Sequence, residues 1–147
     1  MHRLGGGCHC GNIVVQVDLP RPANTYEPRT CDCDFCVAHG ASYVSDPEGT
    51  LNLRIQDGAD CHPYRQGSGV AAFLICKRCG VLAAVLYRTD ERLYAAVTTN
   101  VLNDRTDFGP TKSVSPKKLS SAEKTGRWQE LWFPRVNLVI DRGEISG

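Results

Sequence analysis

Helical periodicity is almost absent from this sequence, and so is any long apolar run. No stretch approaches the roughly 20 apolar residues of a membrane span, so a transmembrane helix is not expected. The first residues, MHRLGGGCHCG, contain no apolar segment of the kind a secretory signal needs, and a cytoplasmic location is the expectation. Charge of one sign is missing too. Across 147 residues the formal net charge is +1, which offers no basis for electrostatic binding to nucleic acid or to an acidic membrane surface. There is no internal repeat and no low-complexity tract. With 41% hydrophobic and 22% charged residues, the composition is that of one globular domain spanning 1–147.

What periodicity there is has a period of two. Residues 13–17, 41–44, 51–55, 70–75, 81–87, 93–97 and 136–140 read as about seven strands. Leu51, Leu53 and Ile55 alternate cleanly onto one face. The apolar runs 70–75 and 81–87 flank Cys76-Lys77-Arg78-Cys79-Gly80 and read as a hairpin whose turn is a metal knuckle. One helix is expected, opened by a capping box at Ser120 and Glu123 and stopped before Pro134. Its Trp128-to-Phe133 end reads as an apolar side packed on the sheet. The polar segment 103–118, with Gly109, Pro110 and Pro116, reads as a long surface loop.

Cysteine is the residue in excess: eight in this short chain. Seven fall in tight groups, Cys8-His9-Cys10, Cys31-Asp32-Cys33-Asp34-Phe35-Cys36 and the Cys76/Cys79 pair. Neighbours this close make poor structural disulfides and are well spaced to share a cation. Cys8 and Cys10, at i and i+2 in extended backbone, point to one face. Two such half-sites, Cys8/Cys10 and Cys76/Cys79, give the four thiolates of a closed structural zinc site. Pairing Cys31/Cys33 with Cys76/Cys79 would also make four, and spacing alone leaves that open. In the first pairing Cys31, Cys33 and Cys36 remain as a trio, the ligand number of a zinc with an open position. Cys61, His39 or His62 would close that shell if the site were structural as well. Asp34 and His39 are candidates to relay a proton beside the trio. Lys77 and Arg78 read as solvated charges and Cys61 as a spectator. His2, His9 and His62 have no context that marks them as functional.

The runs Gly6-Gly7-Cys8-His9-Cys10-Gly11, Cys31-Asp32-Cys33-Asp34-Phe35-Cys36 with His39-Gly40, and Phe73-Leu74-Ile75-Cys76-Lys77-Arg78-Cys79-Gly80 resemble the glutathione-dependent formaldehyde-activating enzyme family, whose relatives include the centromere protein V group. The likeness extends over roughly residues 5 to 105. It implies a mainly β fold, an antiparallel, zinc-stapled β-tent of Mss4-like type with at most one or two short helices. It implies a structural zinc on Cys8, Cys10, Cys76 and Cys79, and a labile or catalytic zinc on Cys31, Cys33 and Cys36. It also implies an activity, joining a thiol such as glutathione to formaldehyde, a carbon–sulfur lyase reaction when read backwards. The alternative for such a fold is a non-catalytic zinc module acting in protein interaction or zinc sensing. Two departures bear on substrate. Val37 and Ala38 stand where family members often carry basic residues, and the acidic spacers Asp32 and Asp34 weigh against an anionic thiol. The oligomeric state is not legible in the sequence.

Overall fold

A computed structural model describes residues 1–145. In chain order its strands are β1 (His2–Gly7), β2 (Ile13–Leu19), β3 (Arg29–Cys31), β4 (Ser42–Val44), β5 (Thr50–Asp57), β6 (Cys61–Tyr64), β7 (Ala72–Cys76), β8 (Leu82–Arg88), β9 (Leu93–Thr98), β10 (Lys112–Val114) and β11 (Arg135–Arg142). Helix α1 (Asp34–His39) follows β3, and α2 (Ser121–Leu131) precedes β11. The strands form two open sheets, one ordered β1-β2-β5-β11 and one ordered β10-β3-β4-β9-β8-β7-β6.

Alternation along the strands explains how the sheets stack. Ile13, Val15, Val17 and Leu19 on β2, with Leu51, Leu53 and Ile55 on β5, are all buried in one core cluster. Leu74 and Cys76 on β7 and Ala95 and Val97 on β9 enter the same cluster from the larger sheet. Their neighbours Phe73, Ile75, Tyr94 and Ala96 point the other way. There they meet Phe35 of α1, Trp128 and Leu131 of α2, and Trp132 just after it. The result is three layers: small sheet, large sheet, helices. Each apolar face is buried against another element, the condition for stable layering.

The expected strands and the capped helix are present, and the mainly β class holds. Ser120 Oγ accepts from the Glu123 N–H (3.2 Å) and Glu123 Oε1 accepts from the Ser120 N–H (2.9 Å), which completes the capping box. Two pairings depart from the antiparallel expectation: β11 runs parallel to β5, and β10 runs parallel to β3. The first sets Val136, Leu138 and Ile140 beside Leu51, Leu53 and Ile55. The second turns part of the segment read as a loop into a strand whose Val114 lies in register with Cys31. Four strands, β1, β3, β6 and β10, and the short helix α1 lack any periodic signal long enough to read. Among the described residues, no helix is long and apolar enough to cross a membrane.

Gly5 to Gly7, just before Cys8, belong to β1. A Cβ on Gly6 would run into the Val101 carbonyl, so its absence lets the chain at Leu102 bridge to the strand.

Candidate metal centre

Cys8 sits where β1 turns into β2. Its N–H donates to the Ile13 carbonyl at 2.9 Å, and its Sγ accepts from the Ile13 N–H at 3.2 Å. Across from it, the β7–β8 turn is closed by the Gly80 N–H donating to the Cys76 carbonyl at 2.8 Å. Gly80 takes a φ of +77°, which a side chain would strain. These two turns carry four sulfurs to one place. The Sγ atoms of Cys8, Cys10, Cys76 and Cys79 all lie within 4.8 Å of one another. Cys8 and Cys10 are 3.8 Å apart, and Cys10 and Cys76 are 3.5 Å apart. A disulfide needs about 2.05 Å, whereas a zinc tetrahedron with Zn–S bonds of about 2.3 Å has sulfur–sulfur edges of about 3.8 Å. All eight cysteines are free thiols. The donor set therefore fits a tetrahedral, thiophilic ion such as zinc, and the pairing of Cys31/Cys33 with the knuckle is set aside.

Burial pushes the Cys8 thiol up and the Cys76 thiol to about 12. Burial also raises Cys79, but N–H groups of Cys10 and Val81 and the neighbouring sulfurs outweigh it and bring it down to about 6. Burial thus opposes ionisation of Cys8 and Cys76, and a cation among the four sulfurs would offset that cost. Cys61 faces Cys76 across β6 and β7 and is fully buried, its thiol raised to about 12 by burial. It belongs to neither cluster. Arg78, in the knuckle, is held by Asp60 at 2.6 Å.

The second cluster is built by a helix start. Cys33 caps α1, its Sγ accepting from the Cys36 N–H at 3.4 Å. Cys31 ends β3 immediately before it. The Sγ atoms of Cys31, Cys33 and Cys36 lie within 4.8 Å of one another, and no fourth His, Cys, Asp or Glu joins them among the described residues. His39, His62 and Cys61 thus do not close the shell. A hydrogen bond from Cys36 draws Cys31 down to about 6, and the same bond with burial drives Cys36 up. Tyr43, on β4, places its hydroxyl 3.3 Å from Cys36 Sγ. Burial first, then the nearby sulfurs, push the Tyr43 phenol above its ordinary range.

The trio opens into a cavity of about 160 Å³. Its apolar wall includes Phe73, Trp128 and Trp132, and its cationic groups are Arg29, Lys117, Lys124 and Arg127. Arg29 donates to Ser45 Oγ at 2.7 Å, and burial, then the charge of Arg127, lower its guanidinium to about 10. Ser45 in turn donates to the Leu131 carbonyl at 2.7 Å, which ties β4 to the end of α2. No Asp or Glu lines the cavity. Asp32 turns its carboxylate to the Ser115 hydroxyl. Asp34 is exposed in the first turn of α1, and His39 is exposed and packs on Phe35 with ring centroids 4.6 Å apart. Neither lines the cavity. Neither spacer carboxylate lines the pocket, although the charge of Asp32 is felt at Cys31, whose thiol it pushes upward.

Sequence reasoning missed Tyr43 and the four cations. Arg29 and Tyr43 are paired in register across β3 and β4, a relation no local pattern reports. Lys124, Arg127 and Trp128 share one face at i, i+3 and i+4 of a helix that was legible, so that part of the lining carried a usable signal.

No curated protein matches the chain. A crystal structure of a Rhodobacter sphaeroides protein is similar, with a TM-score of 0.52 and 24% identity over 74% of this chain and 99% of that one, a likeness of fold alone. The family model described as glutathione-dependent formaldehyde-activating enzyme matches residues 3–118, which hold both cysteine clusters. On that match, the chain belongs to the glutathione-dependent formaldehyde-activating enzyme family.

Proposed function

We propose that the chain joins a small thiol to a small aldehyde such as formaldehyde at the Cys31/Cys33/Cys36 trio, as a carbon–sulfur lyase acting in the synthetic direction. The observation that carries this reading is the trio itself: three sulfurs at the floor of a cavity, with no fourth protein donor among the described residues. Family membership supports the thiol and aldehyde as substrate classes. A zinc ion held there would lower the pKa of a thiol in its open position and so supply thiolate near neutral pH.

The rest is the work of the chain. In the reaction a sulfur–carbon bond forms, the carbonyl π pair moves to oxygen, and the proton lost from the thiol ends on that oxygen. Tyr43 holds Cys36 through its hydroxyl and stays protonated because burial opposes its ionisation. Its hydroxyl, 3.3 Å from Cys36 Sγ in the cavity wall, fixes the sulfur geometry during the addition. Asp34 and His39 stand outside the lining, so a relay by either would act from the rim. Phe73, Trp128 and Trp132 give the reacting atoms an apolar wall. The four-thiolate cluster acts as a staple, joining the β1–β2 turn of the small sheet to the knuckle of the large one.

The alternative, a non-catalytic module, could use the three sulfurs to load and release zinc, but it gives no role to the apolar and cationic cavity above them. The test is exchange NMR on the zinc-loaded protein with glutathione and formaldehyde. Adduct exchange faster than the protein-free rate is expected, and it should vanish in Cys33→Ser. Exchange at the uncatalysed rate with several thiols would sink the reading.

A further inference from the structure

The cavity's charge says more about the thiol than family membership does. Arg29, Lys117, Lys124 and Arg127 line it, and no carboxylate does. Among the described residues none of the four makes an ion pair. Only Arg29 has a hydrogen-bond partner for its side chain, the neutral Ser45 hydroxyl. Unpaired cations crowded into a half-buried site repel one another, which is a cost unless an anion enters. The trio does not discharge this surplus. Three thiolates around a divalent ion leave one negative charge, and the Asp32 carboxylate beside Cys31, though outside the lining, adds a second, against four positive ones.

Two of the four cations and both cavity tryptophans lie on the segment 120–132, beyond the residues 3–118 that define family membership. The wall is thus built jointly by the matched segment, which supplies Arg29 and Lys117, and by the chain beyond it, which supplies Lys124, Arg127 and both tryptophans. Its chemistry suits some thiols and not others. Glutathione brings two carboxylates that the cations could pair, but also an ammonium group that would find no acidic partner in the lining. An acid thiol without an amine brings only charge the wall can use, and its short apolar stem can lie on Trp128 and Trp132.

We propose that the cavity selects small anionic thiols that carry no ammonium group, held through Lys124 and Arg127 of α2 with Arg29 and Lys117 completing the anion site. This inference rests on the reading of the trio as a thiol–aldehyde site and names the substrate class within it. The anion can be a carboxylate or a sulfonate, and the experiment separates the two.

The chain has two tryptophans, and both line the cavity, so intrinsic fluorescence reports its occupancy. Zinc-loaded protein is titrated with 3-mercaptopropionate, 2-mercaptoethanesulfonate, glutathione, cysteamine and 2-mercaptoethanol. At least one of the two acid thiols binds about tenfold more tightly than glutathione and 2-mercaptoethanol, the change expected of a charge-assisted hydrogen bond. Cysteamine binds most weakly. The ranking of propionate against sulfonate identifies the preferred anion. The double variant Lys124→Gln, Arg127→Gln loses about tenfold for the acid thiols and keeps its affinity for 2-mercaptoethanol, which also reports an intact cavity. Glutathione binding as tightly as both acid thiols would overturn the proposal. So would an acid preference that survives the double variant. Exchange NMR with the same thiols and formaldehyde is read separately. Uncatalysed exchange with every one of them removes the reaction, whereas the order of affinities decides the selectivity.

Discussion

The two sulfur clusters use the same atom for opposite ends. Cys8, Cys10, Cys76 and Cys79 come from two turns nearly seventy residues apart, fill a tetrahedron and stand at the junction of the two sheets. Cys31, Cys33 and Cys36 come from six consecutive residues at a helix start, stop at three and face a cavity. A shell completed from distant segments ties the chain together. A shell left short within one local segment ties nothing and leaves room for a ligand. On the proposed reading, ligand count and sequence separation, more than ligand type, divide structure from chemistry here.

The sharpest way to break this comparison is to remove one sulfur from each side. Cys76→Ser takes a ligand from the staple, where apparent zinc binding of about 10–16 kcal/mol rivals the whole stability of a typical domain, about 5–15 kcal/mol. Loss of cooperative folding at 25 °C is expected, read as loss of near-ultraviolet dichroism and of a thermal transition. Cys33→Ser should instead keep the fold, lower the zinc content from two ions to one, and shift Tm by only a few degrees, about the effect of 1 kcal/mol. An unfolded Cys33→Ser variant would mean that both clusters are structural.

A smaller change sharpens the chemistry. Tyr43→Phe removes the hydroxyl 3.3 Å from Cys36 Sγ and should slow adduct exchange by about tenfold while both ions remain bound, the cost of one hydrogen bond to a charged group. Exchange NMR and metal analysis together read this. Smallest of all should be Asp34→Asn and His39→Gln. Both side chains are exposed and outside the cavity lining, and each should change the exchange rate by less than about twofold, within the range of surface substitutions. A tenfold loss in either would restore a relay from the rim.

The staple and the trio were legible because thiolate chemistry imposes local spacing: i and i+2 in extended chain, i and i+3 in a knuckle. The long strands were legible for the same reason, since residues such as Leu51, Leu53 and Ile55 repeat with the period of their own backbone. The cavity was not. Arg29 reaches it from β3, Tyr43 from β4, Lys117 from the turn after β10, and Lys124 from α2, so its character depends on four elements meeting. The acidic spacers misled in particular. Asp32 and Asp34 alternate with the sulfurs in sequence, yet one bonds to Ser115 and the other faces solvent. Neighbours in the chain were not neighbours in the pocket. The short strands β3 and β10 fall below the length at which alternation can be read, although their parallel pairing sets Val114 beside Cys31.

X-ray absorption at the zinc edge, with metal content counted on the same sample, tests the division of labour most directly. The account predicts two ions per chain and an average shell between three and four sulfurs, completed by one lighter oxygen or nitrogen atom on one of the two. Addition of 3-mercaptopropionate should then raise the average to four sulfurs. A single ion per chain, or two ions each already bound by four sulfurs before any thiol is added, would contradict it.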